Sequence, residues 1–252
     1  MQEGKEQEQK GRLHPLSIAI RDIAAIFGGM GFGVASGPEL EDEWHNFTAL
    51  NVPPDHPARD MQDTFWTREK PPRVLRTQTS SVQIRYMEEQ LKKGIKPPYR
   101  IIAPGKVFRN EATDATHEAQ FYQNEGLAVG TDITMAHLKG TLSTFFHEYL
   151  GPDAQVRFRP SYFPFTEPSV EVDVWFASGD GGKGKWLEVM GAGMVHPTVL
   201  QNVGLDARRY QGFAFGGGIE RIMMVKYGVP DVRLFHSGDI RFVYGFDAQE
   251  VK

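Results

Sequence analysis

With 252 residues, 40% of them apolar and 24% charged, the chain has the length and balance of one large soluble domain with ample material for a core. No run approaches the ~20 apolar residues of a membrane span, and the polar stretch Met1 to Lys10 lacks the apolar centre of a signal peptide, so a cytoplasmic address is expected. The absence of cysteine excludes disulfides, thiolate zinc sites and cysteine nucleophiles, and a net charge of −4 excludes a chain built to coat nucleic acid, though not a local basic patch.

Residues 1–12 read as a polar N-terminal tail and 13–252 as one folded domain. The first helix is expected from Pro15 to Phe27, with Leu16, Ile20, Ile23 and Phe27 at helical spacing and Gly28-Gly29 as its stop. Gly31 to Leu40 reads as a strand that ends at a proline. Five prolines between residues 51 and 73 predict a long irregular connection of the kind that is often functional. A short strand, Val74 to Thr79, precedes a helix capped by Ser80, with Ile84, Met87 and Leu91 on one face. Strands follow over Arg100 to Glu111 and Phe121 to Val129, joined by the polar loop Ala112 to Gln120. Asp132 is the expected cap of a helix running to Tyr149, and three more strands cover Val156 to Phe165, Val170 to Ala177 and Lys185 to Val195. Gly179 to Gly182 supplies the hairpin turn between the last two.

The stretch Gly212-Phe213-Ala214-Phe215-Gly216-Gly217-Gly218-Ile219-Glu220-Arg221 then passes from an apolar strand through three glycines into a helix. Glycines permit close approach of backbone or ligand, a helix start offers free N–H groups, and Arg221 adds a forked cation suited to phosphate. Directly successive strands, with helices at the beginning, middle and end, predict an α+β fold: a mostly antiparallel sheet flanked by helices.

Residues two apart in a strand share a face. That alternation groups Arg109 with Glu111, and Phe121 with Gln123 and Glu125, and sets Glu171 and Asp173 opposite a row of valines. If the strands are neighbours, one sheet face carries arginines for phosphates, carboxylates for Mg²⁺ or an ammonium, and aromatics for a base or an apolar side chain. Those are the parts needed to activate a carboxylate with ATP. Taken singly, Glu171 and Asp173 read as solvated polar positions, Phe163 and Phe165 as core, and His117 and His196 as ordinary exposed or structural histidines.

Phe108-Arg109-Asn110-Glu111 resembles motif 2 of the class II aminoacyl-tRNA synthetases, Gly216 to Arg221 resembles motif 3, and Gly31 to Pro38 resembles motif 1, the dimer-interface element. Within the class, Leu75 to Ser80, Phe163 to Ser169, Trp186 to Gly191 and Gly212 to Gly216 resemble the phenylalanyl-tRNA synthetase alpha subunits, with the match running from about Leu13 to Phe246. The resemblance implies a class II catalytic domain that activates phenylalanine with ATP and transfers it to tRNA(Phe). It implies ATP contacts at Arg109, Glu111, His117, Phe121 and Arg221, with Arg109 and Arg221 catalytic. It also implies amino-acid contacts at Thr79, Ser80, Gln123, Glu125, Phe163, Phe165 and Ala214, and Mg²⁺ at Glu188. The implied partners are tRNA(Phe) and a second subunit, either a copy of itself in a homodimer or a beta subunit in a heterotetramer, with no membrane.

Gln78 stands where the family usually has His, and the family's N-terminal helical hairpin has no counterpart here, so the chain resembles a catalytic domain alone. A paralog activating another amino acid and a synthetase-like binding protein are the competing readings. Retention of both Arg109 and Arg221 favours an enzyme.

Overall fold

The computed structural model describes residues 11–59, 64–176 and 184–246. Its centre is a seven-stranded sheet in the order β1-β4-β5-β9-β8-β7-β6. The strands are β1 (Gly33–Val34), β4 (Tyr99–Phe108), β5 (Gln120–Gly130), β6 (Val156–Phe163), β7 (Thr166–Phe176), β8 (Lys185–Val195) and β9 (Gln211–Gly218). Every pairing is antiparallel except β1 with β4. A small second sheet joins β2 (Leu40–Glu41) to β3 (Val74–Leu75). This is the expected α+β architecture.

The pleat sorts the strand residues into two cores. Ile102, Ala128 and the valines 170, 172 and 174 join helices α1 (Pro15–Gly29), α4 (Met135–Leu150) and α6 (Ile219–Tyr227) on one face. After the short helix α2 (Glu43–Asn46), Phe47, Ala49 and Leu50 join Ile101, Leu127, Val129, α3 (Ser80–Lys92) and α5 (Pro197–Asn202) on the other. A last short helix, α7, spans Ile240–Tyr244.

Several expected boundaries move, each for a local reason. The strand expected over Gly31 to Leu40 is reduced to β1 and β2, because Gly31 adopts a positive φ of 80° and the carbonyls of Gly37 and Pro38 turn to accept the buried Arg76 guanidinium at 3.0 and 3.3 Å. β3 stops at Leu75, short of Thr79, and β4 stops at Phe108, whose N–H donates to the Arg76 carbonyl. Ser80 does not cap α3: Thr79 holds the cap position, and the Ser80 hydroxyl is used elsewhere. Thr134, not Asp132, caps α4 through a reciprocal pair of bonds with His137. β6 ends at Phe163 because Pro164 and Phe165 form a tight turn into β7, with Phe163 paired to Thr166. The turn expected at Gly179–Gly182 and the tail up to residue 10 lie outside the described residues.

Gly216, Gly217 and Gly218 lie inside β9 rather than in a turn before the helix. A Cβ on Gly216 would fall 2.6 Å from the Glu125 side chain, and one on Gly217 would strike the Val189 carbonyl of β8. These glycines let β5, β9 and β8 close up across the centre of the sheet. Gly217→Ala is therefore expected to destabilise the fold by about 3 kcal/mol, since backbone cannot move aside. Gly28→Ala on α1, where a Cβ would meet nothing within 4 Å, is expected to be neutral or stabilising. Thermal unfolding of the two variants checks the contrast.

Candidate active site

The register of the sheet places one row of residues across its width: Ala103, Glu125, Gly216, Gly191, Glu171 and Arg159. Two glycines thus separate two carboxylates, leaving a floor without side chains between Glu125 and Glu171. At ~4.8 Å between strands, that floor is about 14 Å long. Over it lies a cavity of about 240 Å³ that brings together Ser80, Arg109, Gln123, Glu125, Phe163, Phe165, Glu188 and Ala214. Its deep end is apolar, formed by Leu50, Met87, Leu127, Val195 and Val199. A second cavity of about 330 Å³ shares Gln78, Arg109, Phe163 and Phe165 with the first, and adds Glu111, Tyr162 and Phe47.

Glu125 is the polar anchor of the first cavity. It is buried, and it accepts Ser80 Oγ at 2.5 Å, Gln83 Nε2 at 2.9 Å and backbone N–H groups of Thr79 and Ser80 at the start of α3. Burial outweighs these bonds and the charge of Arg109, so its carboxyl is pushed up to about 7. Beside it, Gln123 Oε1 is a buried acceptor with no partner among the described residues. A buried carboxylate without a full counter-charge beside an acceptor that lacks a donor suits an ammonium group. Thr79 does not line the cavity; it lies behind it, fully buried, and reaches Glu125 through its N–H.

The apolar walls follow from the turn after β6. Phe163 and Phe165 flank it with rings parallel, 5.8 Å apart and inclined by 6°. The missing side chain of Gly191 makes room for the Phe163 ring, whose edge would lie 2.8 Å from a Cβ there. Ala214 sits between Leu127 of β5 and Gly193 of β8.

Arg109 is mounted from three sides. Its Nε donates to the Thr77 carbonyl at 3.2 Å, its guanidinium lies 5.3 Å from the centre of the Phe121 ring, and Glu111 stands 3.9 Å away. Arg109 and Glu111 meet although β4 has already ended, so their pairing comes from the loop and not from strand alternation. His117 is exposed in that loop, with Nδ1 3.1 Å from Asp114. Arg221 is exposed on the first turn of α6, and its charge acts on Glu188.

Glu188 is half-exposed; burial and the neighbouring Glu171 raise its carboxyl, while Arg221 and Arg159 oppose that rise. A carboxylate pair on adjacent strands is a hard oxygen donor set that fits a divalent cation. Asp173, read from sequence as solvated, is instead 1% exposed and clamped by Arg157 at 2.7 Å and Arg159 at 2.6 Å. Those bonds, led by Arg159, hold its carboxyl low.

Sequence reasoning missed Gln83, although its place three residues after Ser80 on α3 puts both on one helix face. It also missed Leu50 and Met87, whose apolar character gave no sign distinguishing pocket from core.

A family model described as tRNA synthetases class II core domain (F) matches residues 1–246. A phenylalanine–tRNA ligase alpha subunit of Pectobacterium atrosepticum is 56% identical over 238 residues, which cover 94% of this chain and 69% of that protein. The alpha subunit of Gluconacetobacter diazotrophicus is 55% identical, with coverages of 96% and 68%. Two solved pyrrolysyl-tRNA synthetase structures from Desulfitobacterium hafniense share the fold, at TM-scores of 0.67 and 0.70. Sequence identity to them is 19% and 17%, over 88% and 93% of this chain and 70% and 77% of theirs. Among the described residues no helix is long and apolar enough to cross a membrane. With a class II core built around this row of carboxylates and glycines, and relatives of such identity over most of its length, the chain belongs to the family of class II phenylalanine–tRNA ligase alpha subunits.

Proposed function

We propose that residues 13–252 form the catalytic domain of a cytoplasmic phenylalanine–tRNA ligase, which activates phenylalanine with ATP and passes it to tRNA(Phe). The observation that carries this reading is the cavity itself: a buried carboxylate without a full counter-charge stands at one end and a flat-ringed apolar pocket of side-chain size at the other. The amino group is held by Glu125 and Gln123, with Ser80 and Gln83 orienting Glu125. The side chain lies against the paired Phe163 and Phe165 rings and points toward Ala214. An aromatic substrate ring gains most there by meeting the Phe rings edge to face.

ATP lies along the remaining floor. Arg109 receives the α-phosphate together with the amino-acid carboxylate, and the adenine stacks near Phe121, bordered by Glu111 and the His117 loop. Arg221 receives the outer phosphates. Glu188, with Glu171 beside it, would hold Mg²⁺, which neutralises phosphate charge when bound. The substrate carboxylate attacks the α-phosphorus in line, pyrophosphate leaves, and a tRNA ribose hydroxyl then takes the acyl group from the adenylate as AMP departs. No protein nucleophile is needed; positioning and charge neutralisation supply the rate. A beta subunit completes the enzyme, and the exposed Val34 on edge strand β1 belongs to the face where a two-fold partner would pack.

Three measurements follow. Phenylalanine-dependent ATP–pyrophosphate exchange is expected, and Arg221→Ala should lower it about 10²-fold in kcat/KM for ATP without a change in thermal unfolding. Unchanged exchange removes Arg221 from its role, and exchange driven by another amino acid redirects the specificity. Ala214→Gly should admit para-substituted phenylalanines, raising their relative kcat/KM roughly tenfold; unaltered selectivity would count against the pocket's orientation.

The third concerns pH. An ammonium binds the ionised Glu125, so phenylalanine binding releases a proton below about pH 7 and its Kd should rise about tenfold per pH unit of acidification. Glu125→Gln should weaken binding and flatten that slope. For the ligand-free fold the sign is opposite. With the carboxyl raised from 4.5 to about 7, its contribution to stability is complete below pH 4.5 and is lost as pH rises through 7. Calorimetric titration with phenylalanine from pH 5.5 to 8 checks the first, and unfolding of the ligand-free protein from about pH 4.5 to 8 checks the second.

A further inference from the structure

We propose that Asn51 is a positioning residue for substrate selection, which fixes the aromatic corner Phe163-Pro164-Phe165 against the floor of the pocket. Asn51 follows the short 3-10 turn Thr48–Leu50 and adopts a left-handed backbone, φ 60° and ψ 25°; among the described residues no other non-glycine has positive φ. Asparagine tolerates that conformation better than most residues. From there its Nδ2 donates to the Pro164 carbonyl at 2.6 Å, across 113 positions of sequence.

Pro164 has no N–H, so its carbonyl is its one backbone hydrogen-bonding group, and it sits between the two stacked rings. The residues on either side are fixed by other bonds. The Phe163 N–H donates to Ser169 Oγ at 3.2 Å, and the Phe165 carbonyl accepts the His196 N–H at 2.9 Å. Asn51 closes the middle of the corner. Without it a carbonyl at the mouth of the pocket loses its protein donor, and the turn that aims both rings is held only at its ends.

The same tether joins two walls of one cavity. Leu50, the residue before Asn51, lines the deep end, and the 3-10 turn carrying it is pinned by Asn202 Nδ2, 3.3 Å from the Thr48 and Ala49 carbonyls. The distance from floor to rings, which decides how long a side chain fits, is therefore set through Asn51. The residue touches neither ATP nor the reacting atoms, and its effect is confined to the amino-acid end.

This inference rests on the phenylalanine-activating reading of the pocket. Two variants test it in the full chain, with its partner subunit present where exchange requires it. Asn51→Gly keeps the positive φ and removes the donor; Asn51→Asp keeps shape and φ and sets an oxygen against the carbonyl. Both should raise KM for phenylalanine about tenfold in pyrophosphate exchange, leave KM for ATP unchanged, and relax discrimination against para-chlorophenylalanine. Amide hydrogen exchange at Phe163 and His196 should quicken in both without any ligand. An unchanged KM for phenylalanine with unchanged selectivity in both variants overturns the role of Asn51, even if amide exchange quickens, because the tether would then be merely structural. Wild-type protein that activates a different amino acid overturns the parent reading instead, and the amide exchange still reports whether Asn51 holds the corner.

Discussion

The close approach of β5, β9 and β8 is the constraint on which the rest of this molecule depends. Gly216 and Gly217 have no side chains because Glu125 and the Val189 carbonyl occupy the space that side chains would need. Once those strands are in contact, Glu125 and Glu171 fall in one row with bare backbone between them. Arg221 is delivered to the rim by the helix that β9 runs into. Motif 3 is therefore less a phosphate loop than a packing solution whose by-product is a floor with no side chains of its own, overlain in part by Glu125 and Phe163.

Around that floor the polar groups are organised by burial. Glu125 receives four donors and still lacks a full counter-charge, whereas Asp173, equally hidden, is satisfied by two arginines and stays ionised. The contrast separates a cavity carboxylate without a full counter-charge from one that holds a sheet edge together. Both are buried acids on strands of one sheet, so only their neighbours distinguish them.

Much of this was legible in the sequence. The order of helices and strands, the α+β class and the grouping of Gln123 with Glu125 follow from period-2 and period-3.6 patterns, and resemblance supplied the assignment of Arg109 and Arg221. What was not legible depends on contacts distant in sequence. The Gly31 to Leu40 strand is broken by Arg76, 39 and 38 positions from Gly37 and Pro38. Ser80 has the chemistry of a cap, but a buried carboxylate from β5 claims its hydroxyl. Asp173 looked solvated because Arg157 and Arg159 belong to a strand whose pairing no local pattern announces. Asn51 lay in a proline-rich stretch where periodicity says nothing, and its partner is a backbone carbonyl, which leaves no trace in side-chain composition.

The sorting of strand residues into two cores carries one more consequence. Along β5, odd positions such as 123, 125 and 127 meet the cavity, whereas Ala128 packs against the helices of the opposite core. The lining of the cavity and a piece of the helix-packed core are thus written on alternate letters of the same strand. Substitutions at the polar odd letters, Gln123 and Glu125, alter the cavity lining without touching either apolar core. A single inserted or deleted residue would exchange the two scripts at once, turning the pocket into the core and the core into the pocket. Such a chain can diverge in specificity by replacement, but hardly at all by changes of length within its central strands.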